Sequence, residues 1–99
     1  MILVGEIFNL SSGTSVITGI KKKQFHFKIP VYMDVYVNNN FYSKLLIEGL
    51  VLGTKNQIDN PIFEIITVNV STILDKNIFN NQNNIILIPS VSPVKEESV

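Results

Sequence analysis

The chain has 99 residues, with 8 basic side chains (all Lys) balanced by 8 acidic ones, and it contains no Arg, no Cys and no Ala. That length is one domain, long enough to bury a core without staples. Zero net charge and the missing guanidinium fork argue against a strong nucleic-acid footprint, and the missing thiol excludes disulfides, thiolate nucleophiles and Cys-ligated zinc.

Ile, Val and Leu dominate an apolar fraction of 45%, which favours sheet over helix. No apolar run approaches the ~20 residues that span a bilayer. Met1-Ile2-Leu3-Val4 is apolar but lacks a basic n-region, so no signal peptide is predicted. The expected location is the cytoplasm.

Ile2 to Leu10 reads as a first strand, apolar on much of both faces, with Gly5 as a bend or bulge. Ser11-Ser12-Gly13 turns the chain, and Ser15 to Ile20 returns as a second strand. Lys21-Lys22-Lys23 is the one charge run and is expected to cover a solvated turn. Gln24 to Ile29 alternates, with Phe25, Phe27 and Ile29 on one face and Gln24, His26 and Lys28 on the other, which predicts a half-buried strand broken by Pro30.

Val31 to Val37 alternates again. Val31, Met33, Val35 and Val37 share one face; Tyr32, Asp34 and Tyr36 share the other. Asn38-Asn39-Asn40 predicts a turn, because Asn tolerates positive φ. Phe41 to Leu52 reads as a long strand or bent pair with Gly49 as the kink, and Gly53 to Pro61 as a polar loop. Ile62 to Val70 is a further strand. Ser71 or Thr72 followed by Asp75 predicts one helical turn, after which Phe79 plugs the core. Asn80 to Asn84 is a loop, Ile85 to Ile88 the last strand, and Ser90 to Val99 a loose tail. The organisation predicted is a domain over residues 1–89 and a tail over 90–99. The pattern is all-β: a small closed barrel of six or seven strands, with an OB-like barrel or a sandwich as the alternative.

One stretch carries a family likeness. Gly5-Glu6-Ile7-Phe8-Asn9-Leu10, followed by Gly13-Thr14-Ser15-Val16-Ile17-Thr18-Gly19, resembles the opening hairpin of the β-barrel second domain of translational GTPases, the elongation factor Tu type. There a strand ending near Phe precedes a Gly-Thr-x-Val-x-x-Gly segment. Ile73 to Leu87 is similar to the family's turn before its final strand, with Asn83 or Asn84 in place of the usual Gly. About fifteen residues carry the likeness. The family's Gly-x-Ile-x-x-Gly-Asp segment is replaced by Lys21 to Pro30, and no GxxxxGK[ST] occurs. The resemblance implies a translation-factor-like barrel standing alone, and a family habit of contacting RNA or the ribosome. It carries over no contact residue, because the matching motif is structural.

Catalytic chemistry finds little material. His26 is the only His and lies on a polar face, which does not build a zinc site. Asp34 and Glu48 are a candidate carboxylate pair if their strands are neighbours. No Gly-x-Ser-x-Gly occurs around any Ser. No enzyme activity, metal or cofactor is predicted.

A binding surface is better motivated. Tyr32, Asp34 and Tyr36 share a face, and His26 and Lys28 join them if the two strands pair. The expected function is therefore a non-catalytic module that binds a protein partner, in a regulatory or toxin-neutralising role. RNA or ribosome binding through Lys21, Lys22, Lys23, Lys28, Tyr32 and Tyr36 is the alternative. Self-assembly through an exposed edge near Pro30 or Ile62 to Val70 is the third reading.

Overall fold

The computed structural model describes residues 1–51 and 60–90. They form seven strands and no helix: β1 (Ile2–Asn9), β2 (Ser15–Lys22), β3 (Val31–Val37), β4 (Asn40–Ile47), β5 (Gly49–Leu50), β6 (Phe63–Val70) and β7 (Ile85–Pro89). All join one antiparallel sheet of order β4-β3-β7-β1-β2-β6-β5.

That order carries a strong constraint. β4 and β5 stand at opposite edges of the sheet, yet Glu48 alone separates them in the chain. Seven strands laid flat hold their outer members roughly 29 Å apart, whereas two extended residues reach only about 7 Å. The sheet must therefore curl until its edges approach. The Glu48 N–H donates to the Asn69 carbonyl at 3.0 Å and the Val51 N–H to the Thr67 carbonyl at 2.8 Å, which holds β5 on β6. β5 pairs through Gly49 and Leu50 only, and β4 does not pair with it. The result is an open half-barrel. The closed barrel expected from strand count is not formed, because so short a β5 leaves the free side of β4 without a ladder.

The hairpins follow from their turn residues. Gly13, at φ 91°, supplies the left-handed position between β1 and β2. Asn38 and Asn39, at φ 51° and 72°, give the two left-handed positions of a two-residue hairpin between β3 and β4. Gly5 is the extra residue where the β1–β2 register slips between Val4 and Glu6, the bulge predicted there.

Alternation along the strands puts Ile2, Ile7, Ile17, Met33, Val35, Leu45, Ile47, Val68, Val70, Ile85 and Leu87 on the concave side, all buried. Each such side chain contributes about 1.5–3 kcal/mol. The segment after β6 adds Leu74 and Phe79 to this core, and the Phe79 ring meets Tyr42 edge-on at 5.9 Å. The Ile78 and Phe79 N–H groups donate to the Asp75 carbonyl at 3.0 and 2.7 Å. A single turn forms there, and Phe79 plugs the core as expected, without a helix.

A polar knot ties this segment down. Asn9 Nδ2 donates to the Leu74 carbonyl at 2.9 Å, while its Oδ1 accepts from the Leu74 N–H at 3.2 Å and from Ser15 Oγ at 2.5 Å. Ser15 Oγ, fully buried, also lies 2.7 Å from the Thr72 carbonyl.

One predicted strand is absent. Residues 24–28 keep their alternation as burial, with Phe25 and Phe27 half-buried, packed on the core, and ring centroids 5.4 Å apart, whereas Ile29, expected on the same face, is exposed. They join no ladder. β2 is flanked by β1 and β6, and β3 by β4 and β7, so neither has a free side to offer. A cis peptide bond joins Ile29 to Pro30 where the chain enters β3. Of the predicted loop Gly53 to Pro61, residues 53–59 lie outside the described residues, as do residues 91–99 of the predicted tail Ser90 to Val99; the last described strand ends at Pro89, the predicted end of the domain.

Two substitutions test this account. Asn9→Ala strips both backbone groups of Leu74 and Ser15 Oγ of a partner, and is expected to lower stability by about 2–3 kcal/mol in urea unfolding. Gly19→Ala places a β-carbon 2.7 Å from the Leu3 carbonyl oxygen and 2.8 Å from Ile2 Cγ2. β1 must then move away from β2, and the midpoint of thermal unfolding is expected to fall by roughly 5 °C or more.

Candidate functional site

The convex side of the sheet is where the expected site residues gather, and it gathers only some of them. Tyr32, Asp34 and Tyr36 alternate outward along β3, as their spacing implied. Asp34 faces Lys44 across the β3–β4 ladder, and Lys44 Nζ donates to its Oδ1 at 2.8 Å and to Ser90 Oγ at 2.5 Å. Tyr36 meets Phe41 edge-on at 5.8 Å. Tyr32 is 56% exposed and borders an open groove with Pro30, Val31, Lys44, Leu46 and Ser90.

His26 and Lys28 are exposed but lie on the segment that pairs with no strand, so the ladder does not bring them to the tyrosines. The Asp34–Glu48 pair is not made either. Asp34 is matched to Lys44, while Glu48 sits beyond the end of β4 at the crossing to β6. Among the described residues no three His, Asp or Glu side chains gather as a metal site.

The lysine run divides. Lys22 and Lys23 are exposed. Lys21 instead points to the concave side, 7% exposed, with Nζ 2.5 Å from Glu64 Oε2 and donating to the Phe25 and Lys22 carbonyls at 2.9 and 3.2 Å. The solvated-turn expectation fails for Lys21 because β2 extends two residues further than predicted and its alternation turns this side chain inward. There it ties residues 22–25 to β6. Lys76 is also engaged, donating to the Ile7 carbonyl at 2.6 Å.

A second feature escaped the sequence reading. The registers align Phe41 with Tyr36, Tyr36 with Ile86, Ile86 with Leu3, Leu3 with Ile20, and Ile20 with Ile65. Six apolar or aromatic side chains thus form one row across six strands of the convex face. Phe41, Leu3 and Ile20 are 55%, 47% and 40% exposed. The density of apolar residues in β1 predicted burial on both its faces, but nothing in the described residues covers the outer one. The signal was present: Leu3, Ile20 and Ile86 are out of phase with the core set Ile2, Ile17, Ile85 and Leu87. Its meaning depended on knowing which strands are neighbours.

No protein-family model, curated protein or solved structure matches this chain.

The Lys21–Glu64 pair has a pH signature. The hydrogen bond from Lys21 holds the Glu64 carboxyl below its ordinary range. A depressed carboxylate stabilises the fold above its unfolded pKa of about 4.3, and this is lost as pH falls through the lower folded value. Glu64→Gln is expected to be less stable than the parent at pH 7 by under about 1 kcal/mol, since the carboxylate is partly solvated. The difference should shrink toward zero below the ordinary carboxylate range, read by urea unfolding at a series of pH values.

Proposed function

We propose that this chain is a non-catalytic module that binds a protein partner through the convex face of its sheet. The observation that carries the reading is the exposed apolar row from Phe41 to Ile65, with Tyr32 and its groove beside it. Exposed apolar surface that is contiguous rather than scattered marks interaction sites, and aromatic anchors are enriched there. Around this row the charges are few, and Asp34 and Lys44 neutralise one another. A regulatory or neutralising role suits a small module of this kind.

Lys22, Lys23 and Lys28 are exposed, and with the likeness of the first hairpin to the translation-factor barrel they support RNA or ribosome binding as the second reading. It is the weaker one, because Lys21, Lys44 and Lys76 are engaged within the fold. An edge-paired assembly through Ile62 to Val70 is the third reading; β6 is paired with β2 along its whole length and with β5 at Val68 and Asn69, which leaves it the other side of Phe63 to Ile66 among the described residues.

Capture from the protein's own lysate, with and without ribonuclease, separates the readings. A protein retained after ribonuclease and lost with Leu3→Lys is the expected result. Co-purifying RNA that disappears on nuclease treatment, insensitive to Leu3→Lys but abolished by Lys22→Glu with Lys23→Glu, would overturn it in favour of RNA.

A further inference from the structure

The convex face has a symmetry that narrows the choice of partner, on the reading that this face binds protein. The central row of Phe41, Tyr36, Ile86, Leu3, Ile20 and Ile65 runs perpendicular to the strands. On one flank lie Asp34, Ile88, Lys22 and Phe63, aligned by the Asp34–Ile88 and Lys22–Phe63 matches. On the other lie Glu6, Thr18 and Thr67, again matched across the ladder. Glu6 and Lys22 are both exposed, and neither has an ion-pair partner among the described residues. They stand on opposite flanks of the row and on adjacent strands.

We propose that the middle of this face packs against the same face of a second copy, about a two-fold axis that lies along the apolar row where it crosses β7, β1 and β2. Rotation about that axis sets the middle residues of the row over their own counterparts, Leu3 on Leu3 and Ile20 on Ile20, as an isologous contact requires. It also exchanges the flanks. Lys22 of one copy then lies over the flank that carries Glu6 of the other, displaced by one strand spacing of about 4.8 Å, within reach of a Lys–Glu pair. Two such pairs form per dimer. The strands of the two sheets stay near parallel in their mean direction, the aligned arrangement of stacked sheets.

The contact is centred on β7, β1 and β2, the middle of the sheet. The curl that brings β4 to β6 turns Phe41, Tyr36 and Ile65 away from it, so the area falls below the roughly 800 Å² per partner of a standard interface and the dimer is a weak one. The chain's zero formal charge opposes no association of like copies.

Sedimentation equilibrium of the purified full chain tests this. The expected result is a dimer that dissociates on dilution, and Leu3→Lys, which sets like charges against each other on the axis, is expected to leave an 11.1 kDa monomer. Lys22→Glu is expected to weaken the dimer roughly tenfold, since it acts twice, and Lys22→Glu combined with Glu6→Lys to restore it. Circular dichroism and thermal unfolding confirm that each variant folds. A parent chain monomeric to millimolar concentration, or a dimer indifferent to Leu3→Lys, would overturn the second copy as partner. Failure of the charge exchange to restore association would overturn the orientation. If the parent is monomeric but Leu3-dependent capture from lysate persists, the protein-binding reading stands with another partner. If both fail, both readings fall.

Discussion

Most of this structure depends on a covalent constraint: Glu48 joins the two edges of a seven-stranded sheet. The chain has no length there to span a flat sheet, so the sheet rolls. Rolling gathers the inward residues of six strands into one compact set, which lets a chain of this size bury eleven strand side chains from one sheet. The close approach at the crossing also explains Gly49. A β-carbon there would lie 2.6 Å from Asn69 Oδ1, so a larger residue fits only if the Asn69 side chain swings aside. Pairing by β5 is too short to complete the roll, and the sheet stays open.

An open curl has an uncovered end, and polar side chains keep the cover in place. Asn9 and Ser15 grip residues 72–74 from the ends of β1 and β2. Farther along, the Asn38 N–H donates to the Asn84 carbonyl, the Asn84 N–H donates to Asn38 Oδ1, and Asn38 Nδ2 donates to Asn83 Oδ1. Asn80 and Asn83 side chains close turns on the Lys76 and Ile78 carbonyls. The asparagines that look like low-complexity filler in the sequence stand in for the secondary structure that this segment lacks. An Asn side chain both donates and accepts, so a helix-free segment can satisfy its buried backbone groups.

The convex face obeys a different logic. On it, the one ion pair among the described residues, Asp34–Lys44, is solvated and adds little stability. Apolar side chains occupy the middle of the sheet, and the charged groups Glu6 and Lys22 flank them without ion-pair partners among the described residues. Neither arrangement serves the isolated fold. Both are the features on which the proposed binding face rests.

Local pattern was enough to determine several features of the protein. Alternation at Val31–Val37 assigned Met33 and Val35 inward and the two tyrosines outward. Asn38-Asn39 and Ser12-Gly13 placed the hairpin turns, because few residues accept positive φ. Gly5 marked a bulge. Periodicity also assigned Phe25 and Phe27 inward, yet it could not tell a paired strand from an extended segment left without a neighbour. Pairing is a property of the whole sheet, and only the tertiary order shows that β2 and β3 have no side to spare. The same holds for Lys21, which local polarity assigns to solvent and which the extended register of β2 turns toward Glu64. It holds most for the apolar row. Its six members come from six strands spread between residues 3 and 86, and no sequence window contains more than two of them. Strand order alone put them in line, because contact across a sheet is set by register and not by distance along the chain.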